Sequence, residues 1–372
     1  MKNLLKAVFA ITIASSVLAG VFSACSTPSS DNGSSDNSSY SNDSSRGNTI
    51  VEVSTDFSGF EEQSSTENSS ENSSENSYTG LAFSRNQNGG YSVSWDEIST
   101  AETLSIPSVY NGLPVNAIAE GGFCDNSFIR TVVIPDSVTE ICESAFANCC
   151  EISSLTIGSG VTSIGSGAFG SCRKITSLSL PRGLTDIGEN AFLDCRSTQS
   201  IVVASGNARY KSEGNCLIET ATKTILFGCK NSVIPSDGSV TVIGADAFRY
   251  CEGLSTLSIP SCVTDIGERA FYQCSDLSRI VLPEGIPSIG DYTFADCRSL
   301  SSITIPASVN SIGTGAFYNC EYLSSATFAN ANGWVVSAEK DASSGVSLNL
   351  SDPVANARYL IDQFKEFYWK RG

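Results

Sequence analysis

The sequence predicts a repeat solenoid of about eight coils, each about 23 residues long. Three observations predict it. Phe123, Phe146, Phe169 and Phe192 are spaced by 23 residues, and so are Phe248, Phe271, Phe294 and Phe317. Five residues before these stand Ile118, Ile141, Ile164, Ile187, Ile243, Ile266, Ile289 and Ile312. Three residues after each Phe from 146 onward comes a Cys: Cys149, Cys172, Cys195, Cys251, Cys274, Cys297 and Cys320. Compositional bias does not produce eight copies in phase, so each copy is one structural unit.

Within a unit, IGSGAFGSC sets Ile164, Ala168, Phe169 and Cys172 at helical offsets, which predicts a short helical turn with one inward face. The following ITSLSLP alternates Leu178 and Leu180 with serines and ends at Pro181, which predicts a short strand whose ladder stops at the proline. One strand and one turn cannot bury their own apolar face, so stacking completes the core. Parallel strands about 4.8 Å apart then form a sheet on one side, with the short helical turns on the other. The Phe and Cys positions become ladders through the interior.

In chain order, residues 1–24 read as a signal peptide: Lys2 and Lys6, an apolar run from Ala7 to Phe22, and small residues before Cys25. Residues 25–77 are rich in Ser, Asn, Asp and Glu around a brief apolar stretch, Ile50 to Phe60. Ten acids there against Arg46 predict a hydrated, self-repelling tether. Residues 78–123 form an N-terminal cap and first coil, with Gly89-Gly90 before YSVSW marking a hairpin.

The solenoid occupies 124–328, its phase broken once, where Phe192 to Phe248 spans 56 residues. Leu217-Ile218 and Ile225-Leu226-Phe227 around Thr220 to Lys223 predict a hairpin insertion over about 204–233. Residues 329–372 form a C-terminal cap: two short strands in GWVVS and SGVSLNL, then a helix capped by Asp352 and Pro353 with Leu360, Ile361, Phe364 and Phe367 on one side. The final FYWKR either plugs the open end of the solenoid or offers a contact patch.

Composition narrows function. The chain has no His, which removes Ser-His-Asp and Cys-His nucleophiles and imidazole metal ligands. No C-x-x-C pair, paired carboxylates or phosphate loop compensates, so neither an enzyme nor a metal or cofactor site is expected. A net charge of −17 without a basic stripe excludes nucleic acid as a partner. The seven ladder cysteines read as small apolar fillers; Cys150, Cys124, Cys142 and Cys262 lie outside or beside the ladder with no evident partner, and Cys216 and Cys229 flank the hairpin, either bridging it or left free by a strand pairing that puts them out of register.

The units SSLTIGSGVTSIGSGAFGSC and STLSIPSCVTDIGERAFYQC resemble the treponemal-type leucine-rich repeats of BspA-like bacterial surface proteins over about residues 104–328. Phe22-Ser23-Ala24-Cys25 likewise resembles a relaxed bacterial lipoprotein box, which implies lipid attachment at Cys25; an ordinary cleavage site is the other reading. The resemblance implies an exported, lipid-anchored, surface-exposed protein that binds a protein or glycan in adhesin-like fashion. The rival is a structural periplasmic or envelope lipoprotein with no soluble ligand. Two surfaces are candidates for contact. One is the outward hydroxyl ladder of the strands, including Ser154, Thr156, Ser177 and Ser179, which reads first as residues suited to a pleated surface and in the alternative as an array for ordered water or sugar hydroxyls. The other is a tyrosine patch on the later coils, Tyr250, Tyr272, Tyr292, Tyr318 and Tyr322, since Tyr combines apolar area with a polar tip.

Overall fold

Two parallel strands arise from each coil, one more than the sequence pattern suggests. The computed structural model describes residues 80–96, 100–340 and 344–372; the signal peptide, Cys25, the whole acidic tether and the first residues of the N-terminal cap, up to residue 79, lie outside the described residues. The longer strands are those read from alternation. Ser177–Leu180 runs exposed, buried, exposed, buried, and it pairs with Ser200–Val203 in parallel register, Ser177 opposite Ser200. Thr131–Val133 pairs with Ser154–Thr156, Thr256–Ser258 with Arg279–Val281, and Ser302–Ile305 with Ser325–Phe328, always 23 residues apart.

The second strand is the two-residue piece ending at the ladder Ile: Glu140–Ile141, Ser163–Ile164 and Asp186–Ile187 pair in sequence, each Ile opposite the next. The result is a parallel solenoid of about ten turns with little helix. From Ile164 onward each of these Ile residues is followed by a glycine, and that glycine has a packing reason. A Cβ on Gly165 would lie 2.5 Å from the Glu143 nitrogen, and one on Gly188 2.3 Å from that of Ser166, so the coils approach this closely only without a side chain there.

The expected helical turns are not helices. From Cys142 to Cys149 the chain makes successive three-residue turns, with Ala145 N–H donating to Cys142 O, Ala147 to Ser144 O and Cys149 to Phe146 O. The intervening N–H groups of Ser144, Phe146 and Asn148 donate to Ser166, Ala168 and Gly170 of the next coil. Left-handed backbone at Ser144 (φ 54°) and Asn148 (φ 60°) alternates with these bonds and ends any helical run. Inter-coil bonding replaces the i to i−4 ladder, a choice invisible to a pattern that records only which side chains face inward.

Those side chains stack. Phe123, Phe146, Phe169 and Phe192 are buried and near-parallel, with centroids 5.1, 5.3 and 5.8 Å apart. Phe248, Phe271, Phe294 and Phe317 repeat the stack at 5.3 to 5.4 Å. The ladder cysteines do more than fill space. The Cys149 thiol donates to Phe123 O (2.9 Å), Cys172 to Phe146 O, Cys195 to Phe169 O, Cys274 to Phe248 O, Cys297 to Phe271 O and Cys320 to Phe294 O. Each buried thiol thereby satisfies a carbonyl of the preceding coil. Burial pushes the thiols of Cys149, Cys274 and Cys320 up to about 12.

The phase break is a rung, not an appendage. Tyr210–Glu213, Cys216–Glu219 and Thr224–Gly228 form a three-stranded meander, and its last strand pairs in parallel with Val242–Ile243. The meander splits the interior by strand alternation: Leu217 and Phe227 face the core that contains Phe123 to Phe192, whereas Cys216, Ile218 and Ile225 face the core that contains Phe248 to Phe317. Cys216 lies opposite Gly228, and both Cys216 and Cys229 are free thiols, so the out-of-register reading holds and the bridge does not form, whereas Cys150, expected without a partner, is disulfide-bonded.

At the N-terminus Leu81–Arg85 and Tyr91–Trp95 form the expected hairpin, which joins the short-strand sheet through Leu113–Ile118. At the C-terminus the helix is shorter than the apolar spacing suggests. It runs Pro353–Arg358 with Asp352 capping Val354 N–H, then widens into a π-turn over Tyr359–Gln363. FYWKR is not helical: Tyr368–Arg371 pairs antiparallel with both Ser311–Ile312 and Trp334–Ser337. Trp334, Trp369 and Phe328 are buried against one another over the last coil.

Candidate functional site

Every coil turns outward just after its Phe, and the residue two positions on holds a left-handed backbone: Asn148, Ser171, Asp194, Tyr250, Gln273, Asp296 and Asn319, with φ between 55° and 62°. Side chains there project in a row along one edge. In the early coils the row is a polar ladder, with Asn148 donating to Asp125 and the Ser171 hydroxyl to Asp194. Asp194, almost buried, also holds Arg173 at 2.9 Å and Arg196 at 2.6 Å.

Arg196 carries the network across the meander, reaching Glu252 at 2.7 Å and lying over the Tyr250 ring at 5.4 Å. Arg249 sits between Tyr250 (4.8 Å) and Tyr272 (4.9 Å), donates to the Tyr250 hydroxyl, and pairs with Asp246 at 3.1 Å. Together Arg196, Tyr250, Glu252, Gln273, Asp296 and Arg298 border a shallow polar hollow of about 190 Å³. Individual ion pairs so near water contribute only about 0–1 kcal/mol; their shared effect is to hold the guanidinium and phenol planes in place.

The structure brings Tyr250 and Tyr272 together, edge to face with centroids 6.1 Å apart. Tyr318 stands under the Lys365 ammonium at 5.0 Å, and Tyr292 packs over Gly315, where a Cβ would meet its ring at 2.4 Å. Tyr322 stands most exposed, at 69%. Partial burial raises the phenol of Tyr272 and that of Tyr292. The hydroxyl face lies elsewhere: Ser154, Thr156, Ser177 and Ser179 are exposed on the strands, with no aromatic side chain among them.

The arginine network has a signal in the sequence. Arg173, Arg196 and Arg298 each follow a ladder Cys directly, and Asp194 and Asp296 each precede one, so aligning the coils exposes the network. Among the described residues no group of His, Cys, Asp and Glu could hold a metal ion. No helix among them is long and apolar enough to cross a membrane.

A family model for the BspA-type leucine-rich repeat region matches residues 116–238 and 223–334 in six copies, more than half of the chain. The chain belongs to the BspA-type leucine-rich repeat family. No enzymatic family is indicated for this BspA-type protein, and no curated protein matches it significantly. Among solved structures it is similar to a leucine-rich cell surface protein of Faecalibacterium prausnitzii, at 22% identity over 68% of this chain and 94% of that one, TM-score 0.41. It is also similar to the pneumococcal vaccine antigen PcpA (16%, 68% and 81%, TM-score 0.48) and to the leucine-rich repeat protein of T. pallidum (22%, 66% and 89%, TM-score 0.31).

Proposed function

We propose that this BspA-type protein is a cell-surface binding protein, adhesin-like, held at the envelope by lipid on Cys25. The observation that carries the reading is the tyrosine and arginine edge of the later coils. Tyrosine and arginine side chains are those that dominate protein contacts, and here guanidinium planes hold Tyr250 and Tyr272 beside the more exposed rings of the later coils. Tyr292 and Tyr318 are 38% exposed and Tyr322 69%, so the edge offers ring area to a partner without unfolding. Multiple acyl chains, at about 0.8 kcal/mol per buried methylene, would hold such an anchor firmly.

The test has two parts. On intact cells, protease digestion of the solenoid without lysis is expected, together with acyl-label incorporation that Cys25→Ala abolishes; protection until lysis would favour the structural envelope lipoprotein instead. Purified protein is then screened on host-protein and glycan arrays, where the double variant Tyr318→Ser, Tyr322→Ser should lose at least tenfold in affinity for any hit. Hits retained at full strength by that variant would remove the tyrosine edge from the binding role.

A further inference from the structure

Beside the meander the inter-coil hydrogen bonding stops short of the next coil. In the coil before, the N–H groups of Gly167, Phe169 and Ser171 donate to Glu189, Ala191 and Leu193. Their counterparts one coil on, Asn190, Phe192 and Asp194, donate to no following coil among the described residues. The meander that replaces the next rung bonds away from them, Gly228 N–H donating to Ala247 O. Between the two walls lies a cleft of about 530 Å³.

Apolar side chains of Phe192, Leu193, Leu217, Leu226 and Phe227 line its depth. Phe192 and Phe227 meet at its floor, tilted by 40° with centroids 6.0 Å apart. At the mouth, Asp246 is neutralised by Arg249 and Arg269. Glu189 is exposed and makes no ion pair among the described residues, which leaves the rim with an unmatched negative charge.

We infer that this cleft is a docking site for an extended peptide segment of a partner protein, apolar on its inward side and carrying a basic residue toward Glu189. Within the cleft lining the N–H groups of Asn190 and Phe192, two residues apart on one side of a turn whose own carbonyls are bonded internally, are left as donors, and a peptide in extended conformation presents carbonyls on alternate residues to meet them. Apolar residues on alternate positions of the peptide enter between Leu217 and Leu226, and its charge meets Glu189 in water-exposed surroundings. The site is separate from the tyrosine edge and stands whether or not that edge binds.

Amide hydrogen exchange on the full exported chain tests it, with the capped heptapeptide acetyl-Thr-Val-Lys-Val-Thr-Val-Lys-amide as probe. Saturating peptide should slow exchange of the Asn190 and Phe192 amides at least tenfold and leave Gly167 and Phe169, already bonded, unchanged. Ala245→Trp, an exposed residue on the cleft wall, should abolish the protection, and Glu189→Lys should weaken binding at least fivefold while circular dichroism of both variants stays native. Absence of protection at millimolar peptide, or binding indifferent to Ala245→Trp, would overturn the assignment. So would slow exchange of both amides in the peptide-free chain, because the cleft would then already be filled.

Discussion

Replacing Phe169 by Ala probes the stacked interior most directly. The ring is fully buried between Phe146 at 5.3 Å and Phe192 at 5.8 Å, parallel to both within about 5°. Returning a buried aromatic side chain to water costs about 1.5–3 kcal/mol, and each lost ring pair adds about 0.5–1.5 kcal/mol. The expected destabilisation is therefore about 3–5 kcal/mol, the usual range for Phe→Ala in a core. For a unit of this size that lowers Tm by roughly 2–4 °C per kcal/mol. Phe192→Ala should cost about 1 kcal/mol less, because its outer partner Phe227 is tilted by 40° and a cleft adjoins it. Urea unfolding followed by circular dichroism measures both. An unchanged midpoint for Phe169→Ala, or a larger loss for Phe192→Ala, would refute the continuous inward stack and its interruption at the meander.

Three further outcomes follow from the same geometry. Phe169→Ala and Phe271→Ala lie in different cores, so their effects on the unfolding free energy should add within about 0.5 kcal/mol, whereas Phe146→Ala with Phe169→Ala should depart from additivity; equal coupling in both pairs, read from the same urea curves, would deny the partition. The ladder thiols are raised in the folded chain from near 9 to about 12 for Cys149, Cys274 and Cys320. Their contribution to stability is thus whole below pH 9 and lost as pH rises from 9 toward 12, since the unfolded chain ionises first. Thermal melts across that window should fall steadily, and alkylation of the native protein at pH 8 should label Cys142 and Cys262 ahead of the buried ladder. Asp194→Ala strands Arg173, Arg196 and the Ser171 hydroxyl; a loss of about 1–3 kcal/mol is expected, measured by chemical unfolding, and no loss would show that the arginines simply turn to solvent.

The solenoid was readable because stacking repeats one unit: an inward position must be filled in every coil, so Phe169 announces Phe146 and Phe192 at a fixed interval. Burial alone did not reveal how the backbone between Ile164 and Cys172 is satisfied. Helical and three-residue turns both place Ala168 and Phe169 inward, and the inter-coil bonds that decide between them involve no side chain. The arginine network escaped for a different reason. Arg196 and Glu252 are 56 residues apart, and only the meander's rung-like seat brings them within 2.7 Å.

The amino-acid sequence by itself determined the period, the inward ladders of Phe, Ile and Cys, the register of 23 and the place where that register fails. These follow from side-chain size and polarity repeated in phase. Tertiary structure alone decided that the ladder thiols serve backbone carbonyls, that FYWKR closes the end as a strand, and that the meander divides one interior into two with a cleft between. Each of those depends on where backbone N–H and C=O groups find partners. Every residue but proline carries the same pair, so composition and spacing leave their pairing open until the coils are stacked.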